Sequence, residues 1–325
     1  MNPELRYAAF KRRFERYLKE VAPETKPASL FSPTKYVLSG GGKRIRPLLV
    51  VLSCEAVGGK SADALSAAAA VEILHNFTLV HDDIMDNADT RRGRSTVHKK
   101  WNTNVAILAG DAMLGLSYRA LLRSPNGTAS LAATILTKAY LDVCKGQALD
   151  KEFESRHRVT VAEYLSMISL KTGRLIAAAT EIGAAIGGAT PKALRALRTF
   201  GERIGRAFQI QDDLLDVVAD EEVFGKAVGG DIVEGKKTFL LLHALEHARQ
   251  EDRAILARVV RRENLGRSII PKVRAVYERT GAIRSAQVFV ARDTQAARHQ
   301  LQKLLPSDSQ LMLLWLTNML EKRLF

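Results

Sequence analysis

Two short acidic clusters carry the chemistry most directly readable in this sequence. They are His81-Asp82-Asp83-Ile84-Met85-Asp86 and, 130 residues later, Gln211-Asp212-Asp213-Leu214-Leu215-Asp216. Both show D-D-x-x-D spacing inside apolar, helix-forming sequence. Residues four apart on a helix lie about 40° around its axis, so Asp82 and Asp86 share a face. Like charges at that spacing repel, and a cation relieves the repulsion. Carboxylate oxygens are the hard ligands that Mg²⁺ takes, usually alongside phosphate oxygens. One such cluster could be a solvated helix end. Two on facing helices would line a cleft that holds several divalent ions and, through them, a diphosphate.

Basic groups supply the complementary charge. Gly40-Gly41-Gly42-Lys43-Arg44-Ile45-Arg46-Pro47 places three cations at the start of a helix, with Pro47 near its first turn. Cations there oppose the helix dipole, and a bound anion would offset that cost while meeting the free backbone N–H groups. Arg91-Arg92-Gly93 follows the first cluster closely, and Lys171-Thr172, Lys226 and Lys236-Lys237 add phosphate-sized contacts. With two aspartate clusters, these residues make a site for two diphosphates.

Helices must position them. Periodicity predicts helices near 4–21, 46–57, 62–86, 104–123, 128–152, 161–187, 191–220, 237–249, 252–262, 268–304 and 308–324. Ala-rich stretches such as Ala64–Val71 and Ala177–Ile186 combine helix propensity with narrow side chains that allow close packing. No run of alternating β-branched residues reads as a strand. No linker and no repeat divides the chain, so residues 1–325 are expected to form one all-α domain, a large bundle of mostly antiparallel helices around a central cleft.

Composition bounds the alternatives. The 325 residues are 46% hydrophobic and 26% charged, which excludes disordered, collagen-like and disulfide-scaffold classes. Lys and Arg number 49 against 35 Asp and Glu, net +14, with +7 in residues 1–50 and +8 in residues 249–303. Such basicity could serve nucleic acid, but there are no Cys/His zinc spacings, stacking-aromatic signature or basic-region heptads, so no nucleic-acid partner is expected. The longest stretch without a charged residue, Ser124–Thr137, is 14 residues and too short for a transmembrane segment. Cys54 and Cys144 sit in apolar helical contexts and are expected to be buried thiols, which suits a reducing compartment, and the N-terminus resembles neither a signal nor a transit peptide. A cytoplasmic location is expected, with the basic 249–303 region available for peripheral membrane contact.

The ordered motifs resemble those of the trans-isoprenyl diphosphate synthases, and the likeness covers nearly the whole chain. It runs from Gly41–Pro47 and His75 through Asp82–Asp86, Arg91-Arg92-Gly93, Gly110-Asp111, Gly146-Gln147 and Lys171-Thr172. It continues through Phe208-Gln209-Ile210-Gln211, Asp212–Asp216, Gly225-Lys226 and Gly229-Gly230-Asp231. The resemblance implies the isoprenoid synthase fold and a homodimer. It also implies that Asp82, Asp86 and Asp212 bind three Mg²⁺ (Mn²⁺ substituting) that hold an allylic diphosphate of C5 to C15. Asp83, Asp213 and Asp216 would support them. Arg91, Lys171, Lys226 and Lys236 would contact the same diphosphate. Lys43, Arg46, His75 and Arg92 would hold isopentenyl diphosphate, with Thr172 and Gln209 beside the reacting carbons.

A tail anchored at Asp82 and Asp86 would grow toward the preceding turns of that helix. There bulky Phe77 and small Thr78 are expected to set product length, with Met113 or Leu114 as alternative floors. The pattern resembles archaeal-type geranylgeranyl synthases, so a C20 product is expected and C15 is the alternative. A basic C-terminal tail closing over substrate is not expected, since the chain ends Glu321-Lys322-Arg323-Leu324-Phe325. A class I terpene cyclase would be expected to carry a mixed Asn/Asp-Ser/Thr-Glu second metal motif where this chain has Asp212–Asp216, and would not need a second diphosphate site. A non-catalytic synthase subunit would usually have lost aspartates that are intact here.

Overall fold

The computed structural model describes residues 2–22, 24–125, 127–219, 228–263 and 266–321. Among these the chain is almost wholly α-helical, as expected. The only strands among the described residues are Thr90–Arg91 and Arg94–Ser95, the two arms of one tight hairpin. Arg92 (φ 53°) and Gly93 (φ 72°) form its two-residue turn. Positive φ at both central positions gives the backbone twist that joins antiparallel strands most directly. No helix among the described residues is long and apolar enough to cross a membrane.

Most predicted helices form near their expected positions. Helix α1 (Pro3–Val21) starts at Asn2, whose side chain accepts the N–H groups of Glu4 and Leu5. Helix α2 (Ala28–Leu38) was not among the expected helices; it forms with Pro33 inside it. Helices α3 (Ile45–Glu55) and α4 (Ser61–Met85) follow. After the hairpin come a single turn, α5 (Val97–Lys100), then α6 (Thr103–Leu121) and α7 (Ala129–Ser155). Cys144 on α7 is exposed rather than buried as expected, while Cys54 on α3 is buried. The stretch predicted as one helix over 161–187 is α8 (Val161–Ile168), a π-helical turn at Ser169–Gly173, and α9 (Arg174–Ile186). Helix α10 (Pro191–Val218) carries the second aspartate cluster. The predicted 268–304 helix is broken at Thr280-Gly281, where Gly281 takes φ 72°, into Ile270–Arg279 and Ala282–Leu301.

The chain is organised in two compact units. Met1–Lys138, Ala178–Arg198 and Lys303–Leu313 make the first; Ala139–Ala177, Thr199–Gln302 and Leu314–Phe325 make the second. The first unit is built on α4. Every residue from Ala64 to Leu74 is buried, so this stretch has no solvated face, and α3 and α6 pack against the helix. One charged group accompanies that burial. Glu72 accepts a hydrogen bond from Arg44 at 2.6 Å, and Arg44 also donates to Glu15 (2.7 Å) and to the Leu38 carbonyl (2.9 Å). Arg44 is therefore a core residue. Of the three cations expected at the glycine-rich loop, only Lys43 and Arg46 keep exposed surface.

In the second unit, α10 is tied to the Ala282–Leu301 helix by Asp293. Its carboxylate is fully buried and receives Arg206 at 2.7 Å and Arg203 at 3.2 Å. Removing one partner of such a buried ion pair costs about 3–5 kcal/mol, so this contact fixes the register of the helix bearing Asp212, Asp213 and Asp216.

Candidate active site

In the first unit, α4 ends at Met85 with Asp86 as its C-cap, so Asp82, Asp83 and Asp86 all lie at the negative end of the helix dipole. No basic residue occupies the last turn. The helix thus concentrates negative potential where the sequence already places three carboxylates, which is an environment a cation stabilises. The three differ in setting. Asp83 is buried and takes the Arg91 guanidinium at 2.5 Å, whereas Asp82 is half-buried and Asp86 exposed. Burial pushes the Asp83 acid up, against the opposing pull of Arg91. The hairpin folds Arg91 back onto α4.

Lys43, Arg46, His75 and Arg92 also belong to this unit. Arg46 Nη1 lies 3.1 Å from His75 Nε2. A guanidinium can only donate, so Nε2 accepts and the imidazole is neutral. Burial, followed by the charges of Arg46, Arg92 and Arg91, holds His75 well below the usual histidine range. Arg92 donates to the Gly41 carbonyl. A Cβ on Gly42, at φ 138°, would meet the same guanidinium at 3.0 Å. Lys43 is exposed, and its carbonyl accepts the Tyr7 hydroxyl. The structure thus brings Arg46, His75 and Arg92 to the glycine-rich loop, where an anion would offset the repulsion between the two guanidinium groups.

Phe77 and Thr78 lie on α4 between His75 and Asp82. Phe77 is buried, with its ring edge-on to His81 at 4.6 Å. Thr78 donates to the His75 carbonyl at 2.9 Å.

In the second unit the π-helical turn carries Lys171, which is half-buried, and Thr172, which is buried. Lys171 Nζ lies 2.5 Å from Asp150 on α7. Thr172 donates to Gln209 Oε1 at 2.9 Å, and Gln209 Nε2 donates to Asp213 Oδ1 at 3.1 Å. The Tyr164 hydroxyl donates to the other Asp213 oxygen. This chain fixes the Gln209 amide and links Thr172 to the aspartate cluster. A Cβ on Gly205 would meet the Gly173 Cα at 2.6 Å, so α10 lies directly on the π turn.

Asp213 is buried and Asp212 and Asp216 half-buried. Burial and the nearby Asp231 charge push the Asp216 acid up to about 6, while Asp231 N–H donates to its Oδ2 at 3.0 Å. The same two causes raise Asp213. Lys236 Nζ lies 3.4 Å from Asp231, which raises the lysine above its ordinary range. Lys226 lies outside the described residues, as does Arg323 of the C-terminal tail.

Three residues of this half were not chosen from sequence. Asp231 had a signal, since it follows Gly229-Gly230 within a quoted motif. Asp150 and Tyr164 had none, because each reaches the site across helices.

The donor set suits Mg²⁺. The carboxylates are hard ligands, and burial together with the Asp231 charge pushes the Asp213 and Asp216 acids up, so a cation placed among them would stabilise their ionised forms. Among the described residues no three His, Cys, Asp or Glu side chains form a ready-made cage. Mg²⁺ commonly binds through one or two carboxylates completed by substrate phosphates and water.

Comparison with known proteins gives a consistent answer. Residues 27–277 match the polyprenyl synthetase family. The chain is 41% identical over 296 residues to a short chain isoprenyl diphosphate synthase of Methanothermobacter thermautotrophicus, covering 90% of each. It is 45% identical over 229 residues to a geranylgeranyl diphosphate synthase of Methanosarcina mazei, covering 70% of this chain and 71% of that one. The fold matches the crystal structure of geranylgeranyl pyrophosphate synthetase from Pyrococcus horikoshii at TM-score 0.93 and 36% identity, over 98% of this chain and 99% of that one.

Proposed function

The chain belongs to the polyprenyl synthetase family and is a prenyltransferase, and we propose that it elongates allylic diphosphates with isopentenyl diphosphate to geranylgeranyl diphosphate, C20. We take residues 1–325 as one synthase domain. The observation that carries the reading is the distribution of charge along α4. Asp82 and Asp86 end the helix, and His75 stands with Arg46 and Arg92 seven residues before Asp82, about 10 Å along the axis. One helix therefore presents a cation-seeking end and an anion-seeking cluster, with Phe77 and Thr78 between them. Two diphosphates, one held through metal and one directly, fit that arrangement.

Asp82, Asp86 and Asp212 would hold three Mg²⁺, with Asp83, Asp213 and Asp216 in support. Mg²⁺ held by these carboxylates would neutralise the allylic diphosphate as a leaving group. Arg91, Lys171, Lys226 and Lys236 would add positive charge against the same group. Lys43, Arg46, His75 and Arg92 would hold isopentenyl diphosphate through its oxygens. As the allylic C–O bond breaks, its electron pair leaves with the diphosphate. The double bond of isopentenyl diphosphate supplies the pair for the new C–C bond, and a proton is lost to the released diphosphate. Thr172 and Gln209, fixed by Asp213, would flank the reacting carbons and exclude water from the cation.

No protein nucleophile enters this scheme. A homodimer is part of the proposal, supported by the exposed Ile107 and Leu108 of α6 and Leu131 of α7. A cytoplasmic location is part of it too. Steady-state kinetics test the division of labour. Arg46→Ala should raise KM for isopentenyl diphosphate at least tenfold with little change for the allylic partner, and Asp86→Asn should act mainly on the allylic side. Equal effects of both variants on both substrates would contradict the reading.

A further inference from the structure

A second cavity in the first unit lies outside the residues assigned above. It measures about 520 Å³, within the size range of small-molecule sites, and is formed by α1, α2 and the segment around Trp101. Its walls are largely apolar, from Leu18, Ala22, Leu38, Tyr36 and Trp101. Trp101 keeps 36% of its surface exposed and meets Tyr36 edge-on at 5.2 Å.

The lining holds three lysines against one carboxylate. Lys19, Lys35 and Lys100 reach the cavity. Lys100 Nζ stands over the Tyr36 ring at 4.1 Å and near the Trp101 ring at 5.0 Å. None of the three lysines has a carboxylate partner among the described residues. The single carboxylate in the lining, Glu15, is already held by Arg44 at 2.7 Å. An apolar chamber with uncompensated ammonium groups suits an amphiphile with an anionic head and a hydrocarbon chain.

Tyr36 connects this chamber to the substrate residues. Its ring lines both this cavity and the one bounded by Asp83, Arg91 and Arg92. Its hydroxyl donates to the Ser95 carbonyl at 2.9 Å, and the Arg94 guanidinium stacks on its ring at 3.9 Å. Ser95 and Arg94 form the return strand of the hairpin that carries Arg91 and Arg92. A ligand pressing on Tyr36 therefore acts on the hairpin that supplies two of the diphosphate-binding arginines.

We propose that the cavity formed by Leu18, Lys19, Lys35, Tyr36, Lys100 and Trp101 is a regulatory site for a prenyl diphosphate, the chemical class of the enzyme's own product. The choice of ligand rests on the synthase reading; the site itself rests on the cavity and its charge. Occupancy lowers turnover through Tyr36 without competing for the catalytic metals.

The test is direct binding of geranylgeranyl diphosphate in EDTA, followed by calorimetry and by tryptophan fluorescence, with the intact protein. The site requires saturable binding without metal that survives Asp82→Ala. The double variant Lys35→Glu/Lys100→Glu should bind at least tenfold more weakly while elongating substrate at the wild-type rate and escaping inhibition by added product. Inorganic diphosphate and geranylgeraniol, each lacking half of the recognised chemistry, should bind at least tenfold more weakly than the prenyl diphosphate.

Binding that disappears with EDTA, or that the double variant retains in full, would overturn the site. Equal binding of geranylgeraniol would overturn the role of the lysines, and equal binding of inorganic diphosphate that of the apolar chamber. Product inhibition that the double variant retains would overturn regulation. Wild-type protein that binds the prenyl diphosphate in EDTA yet elongates no primer would instead refute the synthase reading and leave the site standing.

Discussion

The backbone of Lys171 lies against Gly146 so closely that a Cβ on the glycine would meet the Lys171 nitrogen at 2.3 Å. One turn further along α7, Asp150 holds the Lys171 ammonium at 2.5 Å. Helix α7 therefore clamps the π turn by its main chain and its side chain together. Gly146→Ala must displace that turn. It should lower stability by about 1–3 kcal/mol and reduce kcat at least tenfold, read by urea unfolding and by steady-state assay. Unchanged kcat with lowered stability would make the contact purely structural.

Arg44 should behave as a core residue although it sits in a cationic motif. Its side chain is fully buried and bonded to Glu72 and Glu15. Arg44→Ala leaves Glu72 buried without its ion-pair partner and should destabilise the fold by about 3–5 kcal/mol. Lys43→Ala, at an exposed side chain, should leave the unfolding free energy within about 0.5 kcal/mol of wild type while weakening isopentenyl diphosphate binding.

His75 gives a pH signature. Its folded-state affinity for a proton is depressed below the ordinary value of 6.5. The unfolded chain therefore takes up a proton that the folded chain refuses. The contribution to stability is full above about pH 6.5 and is lost as pH falls, by at most about 1.4 kcal/mol per pH unit. His75→Gln should flatten this part of the stability curve relative to wild type. An identical slope in the variant would show that other groups cause it.

Phe77 tests product length. It is buried on α4 five residues before Asp82, with its edge on His81. Phe77→Ser opens space on the turn toward which a chain anchored at Asp82 grows. Products longer than C20 should appear in chromatography of the dephosphorylated alcohols. If the distribution is unchanged, the floor lies elsewhere, with the fully buried Met113 the next position to vary.

The sequence made the helices and the two aspartate clusters legible because both are local patterns. Spacing put Asp82 and Asp86 on one face, and the Ala-rich run of α4 announced a helix that could be buried all round. Long-range pairing was not legible. Nothing local distinguishes Arg44, turned into the core toward Glu72, from Lys43 beside it. Asp150 and Tyr164 reach Lys171 and Asp213 from separate helices, with no signal at the sequence level. The π turn was hidden for a related reason, since Ser169–Gly173 has ordinary helical composition and its geometry depends on Gly146 and Gly205 packing against it. Helix α2 lay outside the expected helices, and it forms with Pro33 inside it.

The central claim is that this chain joins isopentenyl diphosphate to an allylic diphosphate with the aspartate clusters holding Mg²⁺. Incubation with farnesyl diphosphate, isotopically labelled isopentenyl diphosphate and Mg²⁺, followed by mass analysis, tests it most directly. The account predicts labelled C20 diphosphate from wild type, none in EDTA, and at least a hundredfold less from a folded Asp82→Ala variant. Unchanged farnesyl diphosphate from wild type, or full activity in the Asp82→Ala variant, would contradict it.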